Sequence, residues 1–415
     1  MKIAMLSYHT CPLATLGGKD TGGMNVYVRE ITRHLGAIGV HVDVFTRSQD
    51  EHVPHVLHDL GYGNRVVHIP AGPEHPLPKN ILASYLPEFV TGVEEFAASK
   101  EIQYDLIHSH YWMSGVAALE LQKHWHTPMA HMFHTLVLMK NRVAQSAEEL
   151  EGEYRLEGEK LVLQSAQRII AATPAELAQL QWLYQADIRK IAVIPPGVDT
   201  CRFYPIPADE AKEFIGVPPC GRMILFVGRI EPLKGLDVLL ESIARLRQQD
   251  VMGDYRFCLV VIGGESLSDG EMLGTEMARI HALREQYGLQ DLVAFLGKRS
   301  QDTLPYYYSA AEVVVVPSFY ESFGMVALEA MACGTPVVAS QVGGLAYLVQ
   351  DGVTGYTVPV DDPQALADRL MQLLSNPALR SRLAQQAVQY ARGYAWEEIA
   401  QKLLQVYKDL TSPPG

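Results

Sequence analysis

Cysteine is scarce, and its spacing suggests no pairing. The five cysteines (Cys11, Cys201, Cys220, Cys258 and Cys333) are scattered, and no two form a CxxC. Neither a disulfide framework nor a zinc site is indicated, and the pattern fits a reducing cytoplasm. Positive charge is short as well. Lysine and arginine number 34 against 47 acidic residues, a formal net charge of −13. That balance argues against a broad nucleic-acid surface, so any phosphate must be held by a few placed cations. No apolar run approaches the roughly 18 residues of a membrane span. The opening MKIAMLSYHT has too short an apolar stretch for a signal-peptide core. No Lys/Arg-rich amphipathic helix is evident. A cytoplasmic protein without integral membrane association is the expectation. Asp-x-Asp is absent, as are GxGxxG, low-complexity tracts and short solenoid repeats.

The chain does contain one grammar written twice. Its 415 residues are 48% hydrophobic, enough for two or three domains with sizeable cores. Lys2–Tyr8 reads as a strand and Gly22–Gly39 as a helix with Val26, Ile31 and Leu35 along one side. Strands follow at Val40–Thr46, Val66–Pro70, Leu106–His110, Met129–His134 and Arg168–Thr173. The prolines and glycine of Ile194–Pro205 mark a linker. The pattern then restarts with strand Met223–Gly228, helix Leu236–Gln248, and strands Cys258–Gly263, Leu292–Leu296, Val313–Pro317 and Pro336–Ala339. A long helical stretch over Pro363–Leu410 closes the chain. Apolar strands alternating with helices predict parallel sheets covered on both faces. The fold class is therefore α/β: two Rossmann-like doubly wound domains, 1–195 and 196–392, facing a central cleft. Open sheets of this kind bind ligands beyond the carboxyl ends of their strands.

Two stretches of the second half carry chemistry. In Phe319-Tyr-Glu-Ser-Phe-Gly-Met-Val-Ala-Leu-Glu329, a strand leads through a loop into a helix. Glu321 falls in the loop and Glu329 about two turns into the helix. A helix start favours a diphosphate, and the glutamates can accept hydrogen bonds from hydroxyls. An isolated glutamate usually lies on a solvated face, but Glu329 sits in an apolar run where a carboxylate needs a partner. In Phe226-Val-Gly-Arg-Ile-Glu-Pro-Leu-Lys-Gly235, Arg229 and Lys234 share one loop. Together they can neutralise a diphosphate leaving group without a metal.

These stretches resemble the retaining glycosyltransferases of family 4, which have the GT-B fold. The resemblance implies that Arg229 and Lys234 hold the diphosphate, Glu329 the ribose and Glu321 the donor sugar. It extends the donor set to Gly23, Arg299, Ser322, Phe323 and Gly324. It also implies that a final helix, about 393–415, crosses back to the acceptor-binding first domain. No metal or other cofactor is expected, the UDP-sugar being a substrate.

In the first half, Gly22 and Gly23 could bring backbone N–H groups to a phosphate, a weak signal taken alone. His108 and His110 alternate on one strand and face the same way. With His124, His126 and His131 they read as core-edge or surface residues rather than metal ligands. His134 ends its strand, where ligands bind, and is expected to be catalytic with Arg229, Lys234 and Glu321. Ser7-Tyr-His-Thr, Asp20-Thr-Gly-Gly-Met-Asn25, Ile107-His-Ser-His-Tyr-Trp-Met-Ser-Gly115 and His134-Thr135 resemble the inositol-phosphate glycosyltransferases of mycothiol biosynthesis. The match implies a grip on the phosphate of 1D-myo-inositol 3-phosphate by Lys79, Tyr111, Thr135 and Arg155. His9, Asp20 and Asn25 would lie by the inositol ring. Taken singly, Lys79 and Arg155 would be solvated surface charges. The Gln-Pro of that family is Thr15-Leu16 here, and similarity is slight after Asn141. Acceptor charge is thus better specified than acceptor identity. Sucrose-phosphate synthases, with fructose 6-phosphate as acceptor, are the alternative. A nicotinamide oxidoreductase is disfavoured by the missing GxGxxG, and a non-catalytic sugar-nucleotide-binding protein by the four charged donor-site residues. A homodimer is compatible with the sequence.

Overall fold

The computed structural model describes residues 1–14, 21–144, 147–216, 221–248, 257–264 and 274–412. The chain divides into two compact units. One holds Thr21–Pro196 with the first strand and the last helix; the other holds Gly197–Ala395.

The first unit is built on an eight-stranded sheet. Its strands are β1 (Lys2–Leu6), β2 (His41–Arg47), β3 (Val56–Leu57), β4 (Arg65–Ile69), β5 (Leu106–His110), β6 (Met129–Met132), β7 (Arg168–Ala171) and β8 (Ile191–Val193). The spatial order is β3-β4-β2-β1-β5-β6-β7-β8. Only the β3–β4 pair is antiparallel. The central strands are almost wholly buried, which is why they read as apolar runs rather than alternations. The edge strands β3 and β8, of two and three residues, are too short to show a period. Helix Gly23–Ala37 buries Val26, Val28, Ile31 and Leu35. Helix Trp396–Thr411 packs beside it, with the Trp396 ring edge-on to Tyr27 at 5.5 Å.

The second unit has six parallel strands: β9 (Arg222–Val227), β10 (Phe257–Ile262), β11 (Val293–Gly297), β12 (Val313–Val316), β13 (Val337–Ser340) and β14 (Gly355–Val358). Their order is β11-β10-β9-β12-β13-β14. The predicted helical stretch 363–410 is in fact three helices, Pro363–Ser375, Pro377–Ala391 and Trp396–Thr411. The first break has a local cause. Asn376 caps the next helix by accepting from Leu379 N–H at 3.0 Å, and Pro377 keeps its predecessor out of the helical region. Cysteine spacing also missed one feature: Cys258, on β10, is disulfide-bonded, whereas Cys11, Cys201 and Cys333 are free. Among the described residues no helix is long and apolar enough to cross a membrane.

Each sheet reverses its strand order beside its first strand. In one, β1 lies between β2 and β5; in the other, β9 lies between β10 and β12. Loops leaving the carboxyl ends of strands at such a reversal splay apart and leave a crevice for a ligand. The loops after β1 and β5, and after β9 and β12, are therefore where function is to be sought.

Candidate functional site

In the first unit the strand ends assemble a cluster around one buried arginine. Arg155 lies on helix Glu153–Ser165 and is 1% exposed, so the surface-charge reading of it is corrected. Its Nη2 donates to the carbonyl and hydroxyl oxygens of Thr135, at 3.1 and 3.0 Å. Its Nε donates to Glu159 at 2.9 Å, and Nη1 lies 2.9 Å from Glu151. The guanidinium sits 5.0 Å from the centroid of the Tyr111 ring, within cation–π range. On Tyr111, in turn, leans the His9 ring, 4.4 Å away. Thus residues from the ends of β1, β5 and β6 meet in one place. Burial alone would weaken the proton on Arg155, but Tyr111, Glu159 and Glu151 together raise its pKa further. Burial lifts the Tyr111 hydroxyl to about 12, so it stays a neutral donor.

Tyr111 has φ 72° and ψ 151°, a conformation that side chains avoid and that persists only where surrounding contacts impose it. His134 also has positive φ, 62°. Tyr111 immediately follows β5, and His134 lies two residues past the end of β6. Lys79 begins a separate short helix, Lys79–Leu82, which is tied to the end of β1 by Tyr8, whose hydroxyl donates to Leu82 O at 2.7 Å. Asn25 braces the β1 loop: its amide donates to Thr10 Oγ1 at 2.7 Å and Cys11 O at 2.8 Å, and accepts from Gly22 N–H at 2.9 Å. Gly23 is the first residue of its helix. Asp20 lies outside the described residues.

The histidines require a correction. His108, His110 and His131 are not at the core's edge or on the surface but fully buried. His108 and His110 share a face, with ring centroids 4.3 Å apart. Tyr407, from the last helix, lies 2.6 Å from His108 Nδ1, and His110 Nδ1 lies 3.0 Å from His134 Nε2. His131 pairs in register with Ser109 and so occupies the opposite face, where it meets Ser109 Oγ at 2.7 Å. Burial drives all four below the usual histidine range, His108 and His134 to about 3. His134 is therefore a neutral imidazole near neutral pH and cannot serve there as a proton-donating imidazolium. Among the described residues no group of three or more His, Cys, Asp or Glu is arranged to hold a metal ion.

In the second unit the loops after β9 and β12 are joined. Lys234 donates to Glu321 at 2.5 Å. Phe319 N–H donates to Leu233 O at 2.9 Å. Gly235, at φ 65°, passes so close to the Pro317 carbonyl that a Cβ would collide with it. Arg229, on the same loop as Lys234, pairs with Glu231 at 2.8 Å. The following helix starts at Met325, so Glu329 lies just over one turn into it, not two. The partner its apolar setting requires is Tyr308, whose hydroxyl donates to it at 2.8 Å. Gly324, at φ 105°, caps that helix. Phe323 is buried, and Ser322 Oγ lies 3.4 Å from the Tyr320 hydroxyl. Arg299 follows β11, at the sheet's edge, and hydrogen-bonds Tyr307 at 3.0 Å.

Sequence reasoning missed the carboxylates around Arg155. Glu159 had a usable signal, its i,i+4 spacing from Arg155 on one helix. Glu151 shares that spacing but lies before the helix starts. Also missed were Gly343 and Gly344, which let the chain run against the backbone of the Glu321 loop; Gly344 N–H donates to Glu321 O at 2.8 Å.

Residues 22–197 match the family described as a glycosyl transferase 4-like domain, and 208–390 match the glycosyl transferases group 1. A D-inositol 3-phosphate glycosyltransferase of Nocardiopsis dassonvillei is 41% identical and covers 99% of this chain and 95% of its own. The protein of that name from Actinosynnema mirum is 42% identical, over 98% of this chain and 96% of its own. Among solved structures, a sucrose-phosphate synthase from Thermosynechococcus elongatus is 36% identical with a TM-score of 0.89, covering 99% of this chain and 98% of that one. HepE of Anabaena, solved with UDP and glucose, shares the fold at 20% identity and a TM-score of 0.74, over 99% of this chain and 100% of its own.

Proposed function

This chain belongs to the group 1 glycosyl transferases with a 4-like N-terminal domain, a GT-B fold, and from that membership we propose that it transfers a hexose or N-acetylhexosamine from a UDP-sugar to the phosphorylated acceptor 1D-myo-inositol 3-phosphate. The observation that carries the acceptor reading is Arg155, buried, bonded to Thr135 and stacked over Tyr111. An arginine fork and two hydroxyls suit a dianion with three acceptor oxygens. An acidic chain offers no general attraction for anions, so a local site must. Lys79 completes this grip in the proposal, with His9 and Asn25 toward the sugar ring.

In the second unit, Arg229 and Lys234 would stabilise the diphosphate as it leaves. Glu321 would bind hydroxyls of the donor sugar and Glu329 those of the ribose. Transfer would retain configuration. The bond from the anomeric carbon to the β-phosphate oxygen breaks, the acceptor oxygen bonds to that carbon on the same face, and the departing phosphate takes the acceptor's proton. No enzyme nucleophile or metal is invoked. His134 serves this reaction as a neutral hydrogen-bonding ring.

Likeness to the sucrose-phosphate synthase supports a second reading, glucose transfer to fructose 6-phosphate. Incubation of the protein with UDP-sugars against inositol 3-phosphate, fructose 6-phosphate and their free sugars, read by mass spectrometry, decides between them. Product from neither phosphate would overturn both.

A further inference from the structure

Two carboxylates face Arg155, and they are held in different ways. Glu159 is fully buried. It receives Arg155 Nε at 2.9 Å, Val137 N–H at 3.1 Å and the Tyr184 hydroxyl at 2.5 Å. Three fixed donors from three elements make it a permanent support. Glu151 is 17% exposed, and its Oε1 alone meets two cations, Arg155 Nη1 at 2.9 Å and Lys140 Nζ at 2.6 Å. Its backbone is clamped by Asn141, which donates to Glu151 O at 3.0 Å and accepts from Glu151 N–H at 2.9 Å. The carboxylate can therefore swing outward on its own side-chain torsions while the chain stays anchored.

We propose that Glu151 is an exchangeable counter-ion: it occupies the place on Arg155 and Lys140 that the acceptor's phosphate takes, so Lys140 is a further phosphate ligand. The proposal rests on the acceptor reading above and adds how that site is regulated. Two arguments support it. The first is valence. Arg155 gives Nε–H to Glu159, Nη2 to Thr135 and Nη1 to Glu151. One Nη1 N–H remains, so a phosphate that takes both Nη1 N–H groups has to displace the Glu151 carboxylate. The second is charge. Arg155 and Lys140 balance Glu151 and Glu159. A dianion added on top would leave two uncompensated negative charges at a mostly buried site, at high desolvation cost. Exchange lowers that excess to one. Burial would raise the Glu151 pKa, but Arg155 and Lys140 outweigh it and hold the group below its usual range. It is a true competing anion at neutral pH. A neutral alcohol has nothing to offer in place of the displaced carboxylate, so the exchange also selects for phosphate.

The test is calorimetric titration of the full chain with inorganic phosphate, comparing wild type with Glu151→Gln, Glu151→Ala and Arg155→Lys, and with thermal unfolding as the check on folding. Glu151→Gln is expected to bind phosphate roughly tenfold more tightly, about 1.4 kcal/mol. Adding Lys140→Ala should remove the gain. In turnover, KM for inositol 3-phosphate should fall while kcat changes little, a split that a merely structural role would not produce. Equal or weaker phosphate binding by folded Glu151→Gln and Glu151→Ala, with Arg155→Lys still damaging, overturns the exchange and leaves the acceptor reading standing. Phosphate binding indifferent to Arg155→Lys overturns the acceptor reading and the exchange together.

Discussion

At the scale of single residues, the proposed chemistry rests most on Arg155 and Lys234. Arg155 is a planar fork fixed at three of its edges, a geometry lysine cannot reproduce. Arg155→Lys should raise KM for a phosphorylated acceptor by about 2–3 kcal/mol, the worth of a charge-assisted contact. Hydrolysis of the donor should be nearly unchanged. Comparable KM values in variant and wild type would remove Arg155 from the site. Arg155→Ala is the poorer probe, since it leaves the buried Glu159 carboxylate without its cation, at roughly 3–5 kcal/mol of stability. Lys234→Ala should lower kcat/KM for transfer by about 2–4 kcal/mol and depress donor hydrolysis equally. Its ion pair with Glu321 is partly exposed, so little stability should be lost. Wild-type turnover in this variant would sink the diphosphate assignment.

At the scale of elements, the last helix matters most. It comes from the far end of the chain, yet Tyr407 reaches His108, 299 positions earlier. Among the described residues His108 Nε2 has no hydrogen-bond partner, so Tyr407→Phe would leave that imidazole unsatisfied on both sides. The expected cost is about 1–3 kcal/mol of stability, measurable by denaturant unfolding. A neutral outcome would mean the hydroxyl contributes nothing net. The same strands predict an acid dependence. Burial holds His108 and His134 at about 3 in the folded chain, against about 6.5 when unfolded. Between those values the unfolded state binds more protons, so stability falls as pH drops below about 6.5 and is flat with respect to these groups above it. Melting temperature followed from pH 8 down to 4 should show a decline that His108→Asn reduces. An unchanged slope in that variant would contradict the assignment.

At the scale of the whole molecule, the two sheets repeat one device, a reversal of strand order with loops meeting beside it. In one unit those loops gather Lys234 and Glu321; in the other they gather His9, Tyr111 and, from the next strand, Thr135. Because the diphosphate is assigned to arginine and lysine and the sequence lacks Asp-x-Asp, turnover should survive exhaustive EDTA treatment. Loss on chelation with rescue by Mg²⁺ or Mn²⁺ would show that a divalent ion does this work. The phosphate requirement belongs to this scale too, since a net charge of −13 repels anions except at a built site. Free inositol or free fructose used as well as its phosphate would place the acceptor elsewhere.

What the sequence determined by itself was local and periodic. Apolar runs of strand length, helical spacing and the Pro/Gly linker at 194–205 were enough for two doubly wound α/β halves, because burial on both faces leaves its mark residue by residue. The loops proposed to bind the donor could be picked out in the sequence because each motif is contiguous in the chain. Charge pairing across the chain was not. Lys234 and Glu321 lie 87 positions apart, and neither motif names the other as partner. Only tertiary structure turned Arg155 from a surface charge into a buried one, since its burial comes from Thr135, Tyr111 and Glu159 closing around it. It likewise put His108, His110 and His131 in the core, because the parity of a strand says which side chains share a face but not what covers that face. Tyr407, from the other end of the chain, helps to cover it, and no local pattern could have shown that.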